Sequence, residues 1–184
     1  MEPMSKAGEV QDATVPEPVP ASFLDLMGGC TKSVLHLEMR DCYARDADFQ
    51  RWQAGDRFDP AERWPEWFDL MAGLVARGVP VQRARIVSQP VTDYIRYEHA
   101  ITDALNVASG EDVRWLPRRS TSDLALPGND FWLFDEQTAL FNHFAGDGSS
   151  GPKELRTESE VVELCRTAFT AVWERAIPHA EFVV

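Results

Sequence analysis

Lysine is scarce in this sequence, with three against fifteen arginines, and 30 acidic residues outnumber all 18 basic ones, giving a formal charge of −12. Self-repulsion of that size favours solubility and opposes nonspecific attraction to nucleic acid or anionic lipid, so neither direct nucleic-acid binding nor a membrane partner is expected. Long apolar runs are also lacking: none approaches the roughly 20 residues needed to span a bilayer. The opening MEPMSKAGEVQDATVPEPVP has no basic-then-apolar leader pattern, and the expected location is the cytoplasm. Cysteine is limited to Cys30, Cys42 and Cys165, an odd number without metal-ligand spacing; they read as packed free thiols, with no disulfide and no zinc. Gly-rich phosphate loops, GxSxG, HExxH and a cysteine with an evident histidine partner are all missing, so motifs assign no catalytic residue, no metal and no cofactor.

What is present is enough for one hydrophobic core. At 184 residues and 44% hydrophobic content the chain needs no staple to fold. Residues 1–21, rich in Pro, Glu, Ala and Val and lacking periodicity, are expected to form a disordered tail, and 22–184 a single globular α/β domain. In SVLHLEMRD, Leu35, Leu37 and Met39 alternate with His36, Glu38 and Arg40, which predicts a strand with a polar face. A short helix is predicted over Asp46 to Gln53. A second starts near Asp59–Pro60, delayed by Pro65, and carries an apolar stripe to Gly78. VPVQRARIVS reads as a strand, Thr92 to Ala108 as an amphipathic helix and EDVRWLP as a third strand. AGDGSSGPK reads as a flexible connection, and Thr157 with Glu160 as the capping box of a C-terminal helix ending before Pro178. The expected fold is α/β (α+β): a mixed sheet of about five strands with a C-terminal antiparallel hairpin, covered by helices.

The hairpin is the stretch GNDFWLFDEQTALFNHF. In DFWLFD both faces are apolar, as in a strand inside a covered sheet. A turn centred on Glu136 and Gln137 would set Phe134 opposite Ala139, Trp132 opposite Phe141 and Asp130 opposite His143, within reach of a charge-assisted hydrogen bond. Arg83 and Arg85 share a strand face, and a helix folding back from the turn at Ser88 to Thr92 would bring Arg96 to them. Arginine's planar fork suits carboxylates and phosphates, which leaves two readings of these arginines: salt bridges to the chain's own acids, with Glu38, Asp93, Glu98 and Asp130 on offer, or a site for a small anionic ligand; the candidate ligand-binding residues are His36, Glu38, Arg40, Arg83, Arg85, Arg96, Asp130 and His143.

Taken together, HLEMRDCY, VQRARIVSQPVTDYIRYEH, EDVRWLPRR, LPGNDFWLFD and FNHFAGDG resemble an actinobacterial domain-of-unknown-function family over nearly everything from Phe23 onward. Such proteins are often encoded near small helix-turn-helix regulators, and the resemblance therefore implies a regulatory accessory role with such a protein partner. The order of elements is also similar to half of a phospholipase D-type domain. Setting Asp135 on that motif's aspartate places Gly128 at the histidine nucleophile and Asp130 at the lysine, so this likeness implies fold alone. The reading that follows is a non-enzymatic regulatory or adaptor protein. The alternative is an enzyme using a polar cleft of His36, Glu38, Arg40, Arg85, Arg96, Asp130 and His143.

Overall fold

The alternation of SVLHLE becomes β1 (Val34–Glu38), the central strand of a computed structural model that describes residues 21–43 and 46–184. Ala21 already belongs to a helix, α1 (Ala21–Gly29), and the rest of the expected tail lies outside the described residues. There follow α2 (Ala47–Gln53), α3 (Pro60–Arg63), α4 (Pro65–Ala76), β2 (Val81–Val87) and α5 (Asp93–Thr102). A π-helical turn, Asp103–Val107, extends α5 and leads to β3 (Asp112–Pro117). The chain ends with β4 (Asp130–Phe134), β5 (Thr138–Phe144), β6 (Ser150–Arg156), α6 (Ser159–Arg175) and β7 (Ile177–Pro178).

The strands form one mixed sheet in the order β6-β5-β4-β1-β2-β3-β7. Helical crossovers make β1, β2 and β3 parallel, whereas β4 runs antiparallel to β1 and carries the β5 and β6 meander with it. Seven strands are described where about five are expected, and the two extra ones are the edges. β6 takes in the end of the segment that reads as a flexible connection, Ser150 to Lys153, and its Gly-Pro-Lys sequence has little strand signal. β7 has only two residues, one of them proline, which a sheet tolerates at an edge.

Local chemistry sets the helix boundaries. Asp46 accepts hydrogen bonds from the amides of Asp48 and Phe49, capping α2. Pro65 disfavours helical geometry at Trp64, where ψ reaches 60°, and splits the expected single helix into α3 and α4. Gly78, at φ +82°, ends α4: its amide bonds the Val75 carbonyl and that of Val79 the Leu74 carbonyl, a Schellman turn aimed straight into β2. The capping box expected at Thr157 does not form. Glu158 occupies the cap position without a side-chain cap bond, because its carboxylate is engaged by Arg156 and the Thr157 amide.

The two faces of the sheet differ in kind. Leu35, Leu37, Ala84, Ile86, Leu116, Phe131 and Leu133 meet Cys165, Phe169 and Val172 of α6 in an apolar core. The opposite face begins apolar, with Val34, Val81, Trp132 and Phe134 under Met71 and Leu74 of α4, and ends apolar, with Val87, Val113 and Trp115 under Tyr94 and Ile101 of α5. Between those two clusters lie His36, Glu38, Arg83 and Arg85. The parallel register that sets His36 beside Arg83 and Glu38 beside Arg85 puts all four side chains on one face.

The hairpin pairs one residue out of the expected register: Phe134 faces Thr138, Trp132 faces Leu140 and Asp130 faces Asn142. The turn falls earlier, at Asp135 and Glu136, both with positive φ. Asp135 is held there from outside the hairpin, accepting hydrogen bonds from the amides of Thr31, Lys32 and Ser33. A one-residue slip exchanges the faces of a strand, so His143 turns away from Asp130 and pairs with Glu154 on β6, 3.0 Å distant.

Candidate functional site

The band of charge is a buried network. Arg83 donates through Nε to Glu111, through Nη1 to Glu38, and through Nη1 to Nδ1 of His36 at 2.9 Å. A guanidinium can only donate, so Nδ1 accepts and the His36 proton lies on Nε2, a buried atom without a hydrogen-bond partner. Arg85 donates to both Glu38 and Glu98, its Nη2 lying 2.7 Å from Glu98, and to Thr102 Oγ1 at 2.8 Å. Thr102 in turn bonds the Glu98 carbonyl four residues back, competing with the helix ladder where α5 widens into its π turn. That widening presents Asn106, whose amide donates to Glu111 at 2.8 Å. The arginine side chains are only 6% exposed, and Glu38 and Glu98 14% and 16%.

Two tyrosines extend the network toward the hairpin. Tyr43 donates to Asp130 at 2.6 Å, and the Met39 amide holds the other Asp130 oxygen at 2.8 Å. Tyr94 donates to Glu98 at 2.9 Å, and the Tyr43 and Tyr94 rings lie 5.9 Å apart. His36 stacks on Trp132 with ring centres 3.7 Å apart. Above Arg83 and Arg85 a cleft of about 650 Å³ opens between the sheet and α3–α5. Its walls include Tyr43, Trp64, Trp67, Tyr94, Tyr97, Ile101 and Leu105, with Asp46, Arg63 and Glu66 toward its rim.

A model of the DUF6879 family, described as a domain of unknown function, matches residues 21–184. The chain belongs to this family. No curated protein sequence matches it. Among solved structures the DUF6879 chain is similar to a phospholipase D family member, Nuc from Salmonella typhimurium, at 11% identity and a TM-score of 0.47, covering 84% of this chain and 86% of that one. It is similar also to TrmBL2, an archaeal chromatin protein whose structure shows a mode of DNA binding, at 12% identity and 0.48, covering 84% and 48%. A third likeness is to NucT from Helicobacter pylori, at 10% identity and 0.46, covering 85% and 88%. The phospholipase D likeness read from the element order thus recurs among these matches, and at such scores it carries nothing about chemistry.

Of the residues singled out in the DUF6879 sequence, the fold brings together His36, Glu38, Arg83, Arg85 and Asp130. It does not bring in the other three. Arg96 is 44% exposed and stands 4.0 Å from Asp93 on its own helix, because α5 turns Tyr94 and Tyr97 inward instead. Arg40 lies over the Phe144 ring, 4.5 Å away, and His143 is on the β5–β6 surface with Glu154. The seven-residue polar cleft of the enzyme reading is therefore not assembled. In its place stand groups that the strand patterns did not single out: Tyr43, Thr102, Asn106, Glu111 and the aromatic walls. Tyr94 and Glu98 lie four residues apart on α5, the one local signal that pointed to this pairing. Among the described residues no group of His, Cys, Asp and Glu is arranged to hold a metal ion, and no helix is long and apolar enough to cross a membrane.

Burial and charge push these carboxyls apart. Burial would raise Glu38, but Arg85 and Arg83 outweigh it and hold the group well below the usual carboxylate range, permanently ionised. Burial raises Glu98, Arg85 opposes it and the Glu38 charge adds to it, for a net upward shift. His36 is kept neutral, first by burial and further by the two arginines, against the pull of Glu38. Burial lifts Asp130 to about 6, against the Tyr43 hydrogen bond and with the help of Glu38. Between its ordinary value of 3.8 and about 6 the folded chain holds a proton that the unfolded chain has released, so this group's contribution to stability is lost as pH rises through that window. Urea unfolding of wild type and Asp130→Asn across pH 4 to 7 is expected to differ in slope by on the order of 1 kcal/mol per pH unit, the variant being flatter. Parallel curves would place the Asp130 carboxyl at its ordinary value.

Proposed function

We propose that this DUF6879 domain is a small-molecule-binding regulatory domain whose ligand occupies the cleft above Arg83 and Arg85. The observation that carries this reading is the placement of a buried, hydrogen-bonded charge network at the floor of a cavity of about 650 Å³, a size suited to a small ligand. A band of ions on a sheet face that is otherwise apolar costs stability relative to a hydrocarbon core, and specific recognition is a reason to keep it. Binding, more than catalysis, suits the groups on offer. Among the described residues the cleft lining has no serine, threonine, cysteine, lysine or histidine, and Glu38 is locked between two guanidinium groups. The signal would pass to a protein partner, a helix-turn-helix regulator being the kind implied by the family resemblance.

One observation favours a second reading, acid–base catalysis: Glu98 lines the cleft, its carboxyl is shifted upward, and Tyr94 hydrogen-bonds it. A single experiment separates the two. The full chain is screened by thermal shift against a metabolite library spanning cationic, anionic and neutral compounds, and each stabilising compound is recovered and checked for conversion. The expected result is a rise of several degrees with recovered compound unchanged, abolished in Leu105→Trp, which fills the cleft. Conversion of the compound would favour catalysis. A shift unaltered by Leu105→Trp, or no shift with any compound, would sink the cleft as the ligand site.

A further inference from the structure

The chemical class of the ligand follows from what lines the cleft; this step rests on the ligand-binding reading above and deepens it. We infer that the cleft takes an organic cation, a substituted ammonium group held against aromatic ring faces and facing carboxylates.

Three features of the lining converge on this class. The first is aromatic: Tyr43, Trp64, Trp67, Tyr94 and Tyr97 contribute to one cavity, and ring faces attract a cation that has shed its water. The second is the balance of charge. Among the described residues, four carboxylates, on Glu38, Asp46, Glu66 and Glu98, line the cleft against three guanidinium groups, on Arg63, Arg83 and Arg85. Behind the floor stand two more carboxylates, Glu111 and Asp130. The third is that the guanidinium groups are already engaged. Arg83 is shared between Glu38 and Glu111, Arg85 between Glu38 and Glu98, and Arg63 pairs with Asp48. An incoming phosphate or carboxylate would compete with a carboxylate at every arginine and be repelled by the rest. An incoming ammonium meets carboxylate lone pairs that those arginines leave open. Glu98 and Glu38, which share Arg85, repel one another, and a cation in the cleft relieves that repulsion. Over longer range the formal charge of −12 draws cations toward the molecule. Of the two readings of the arginines, pairing with the protein's own acids is the one that forms, and the ligand class it leaves open is the opposite of an anion.

The test uses tryptophan fluorescence of the full chain, because Trp64 and Trp67 line the cleft. Choline is titrated beside 3,3-dimethylbutan-1-ol, its uncharged counterpart of similar shape, and beside inorganic phosphate. Choline is expected to give a saturable change, with the alcohol at least about tenfold weaker and phosphate silent. Glu66→Lys, an exposed rim position outside the buried network, is expected to weaken choline by about fivefold at low salt while leaving the unfolding midpoint in place. Equal affinity for choline and the alcohol, or saturation by phosphate alone, would overturn the cation inference and leave the ligand-binding reading standing. Silence toward choline and other substituted ammonium ions, with stabilisation by a neutral or anionic metabolite in the thermal screen, would do the same. Silence in both experiments removes the ligand-binding reading as well.

Discussion

Replacing Arg85 by alanine is expected to destabilise the fold by about 3–5 kcal/mol, because it removes the cation that Glu38 and Glu98 share and leaves buried charge uncompensated. Glu38 retains Arg83, but Glu98, among the described residues, retains the Tyr94 hydroxyl alone and must either stay charged in a buried site or take up a proton. The loss should therefore depend on pH. Without Arg85 the folded-state pKa of Glu98 rises further, so at low pH the carboxyl is neutral and the deficit shrinks, whereas at high pH it is charged and the deficit is full. Urea unfolding at pH 5 and pH 8 reads both effects, the m-value checking that the transition is unchanged in kind. Cost below about 1 kcal/mol at pH 8, where the deficit is full, would mean that water reaches the network and screens it.

Trp132→Ala is expected to cost a similar 3–5 kcal/mol through different physics: the loss of a large buried side chain and the cavity it leaves. Trp132 is 4% exposed, lies flat on His36, and meets the edges or faces of Phe23, Trp67 and Phe134. It also closes the side of the charge network, with the Arg83 guanidinium 5.4 Å from its ring centre. Part of the loss should thus be shared with His36. A double-mutant cycle of Trp132→Phe and His36→Ala should return a coupling of about 0.5–1.5 kcal/mol, the size of a stacked pair beyond its buried area. If Trp132→Ala unfolds at the wild-type urea midpoint, the α4 side of the sheet is not packed as described.

What could be read from the sequence was what local spacing controls. The period-two pattern of residues 34–40 assigns Leu35 and Leu37 to one face of β1 and His36 and Glu38 to the other, and the chain obeys it. DFWLFD is apolar on both faces, and the structure covers both, α6 over Phe131 and Leu133 and α4 over Trp132 and Phe134. Helix–strand alternation with short connections leads to parallel pairing of β1, β2 and β3 by the geometry of crossovers. Even the shared face of Arg83 and Arg85 follows from two-residue spacing alone.

Long-range geometry decided the rest. The hairpin register depends on Asp135 being fastened to the Thr31–Ser33 loop, more than a hundred residues away, and that one contact separates Asp130 from His143. Proximity in sequence puts Arg96 near the arginine pair, but the turns of α5 give the inward positions to Tyr94 and Tyr97, whose rings gain from burial while the guanidinium keeps its water. The partners of Arg83 and Arg85 lie from 13 to 47 residues away in the chain, on β1, α5 and the segment before β3, and no spacing rule links them. Sequence alone therefore determined that a polar stripe would lie on one face of an otherwise apolar sheet. Whether that stripe would seek anions or supply its own, and whether a cavity would open above it, was settled only when α3, α4 and α5 packed across it, because charge compensation and enclosed space belong to groups brought together by the whole chain.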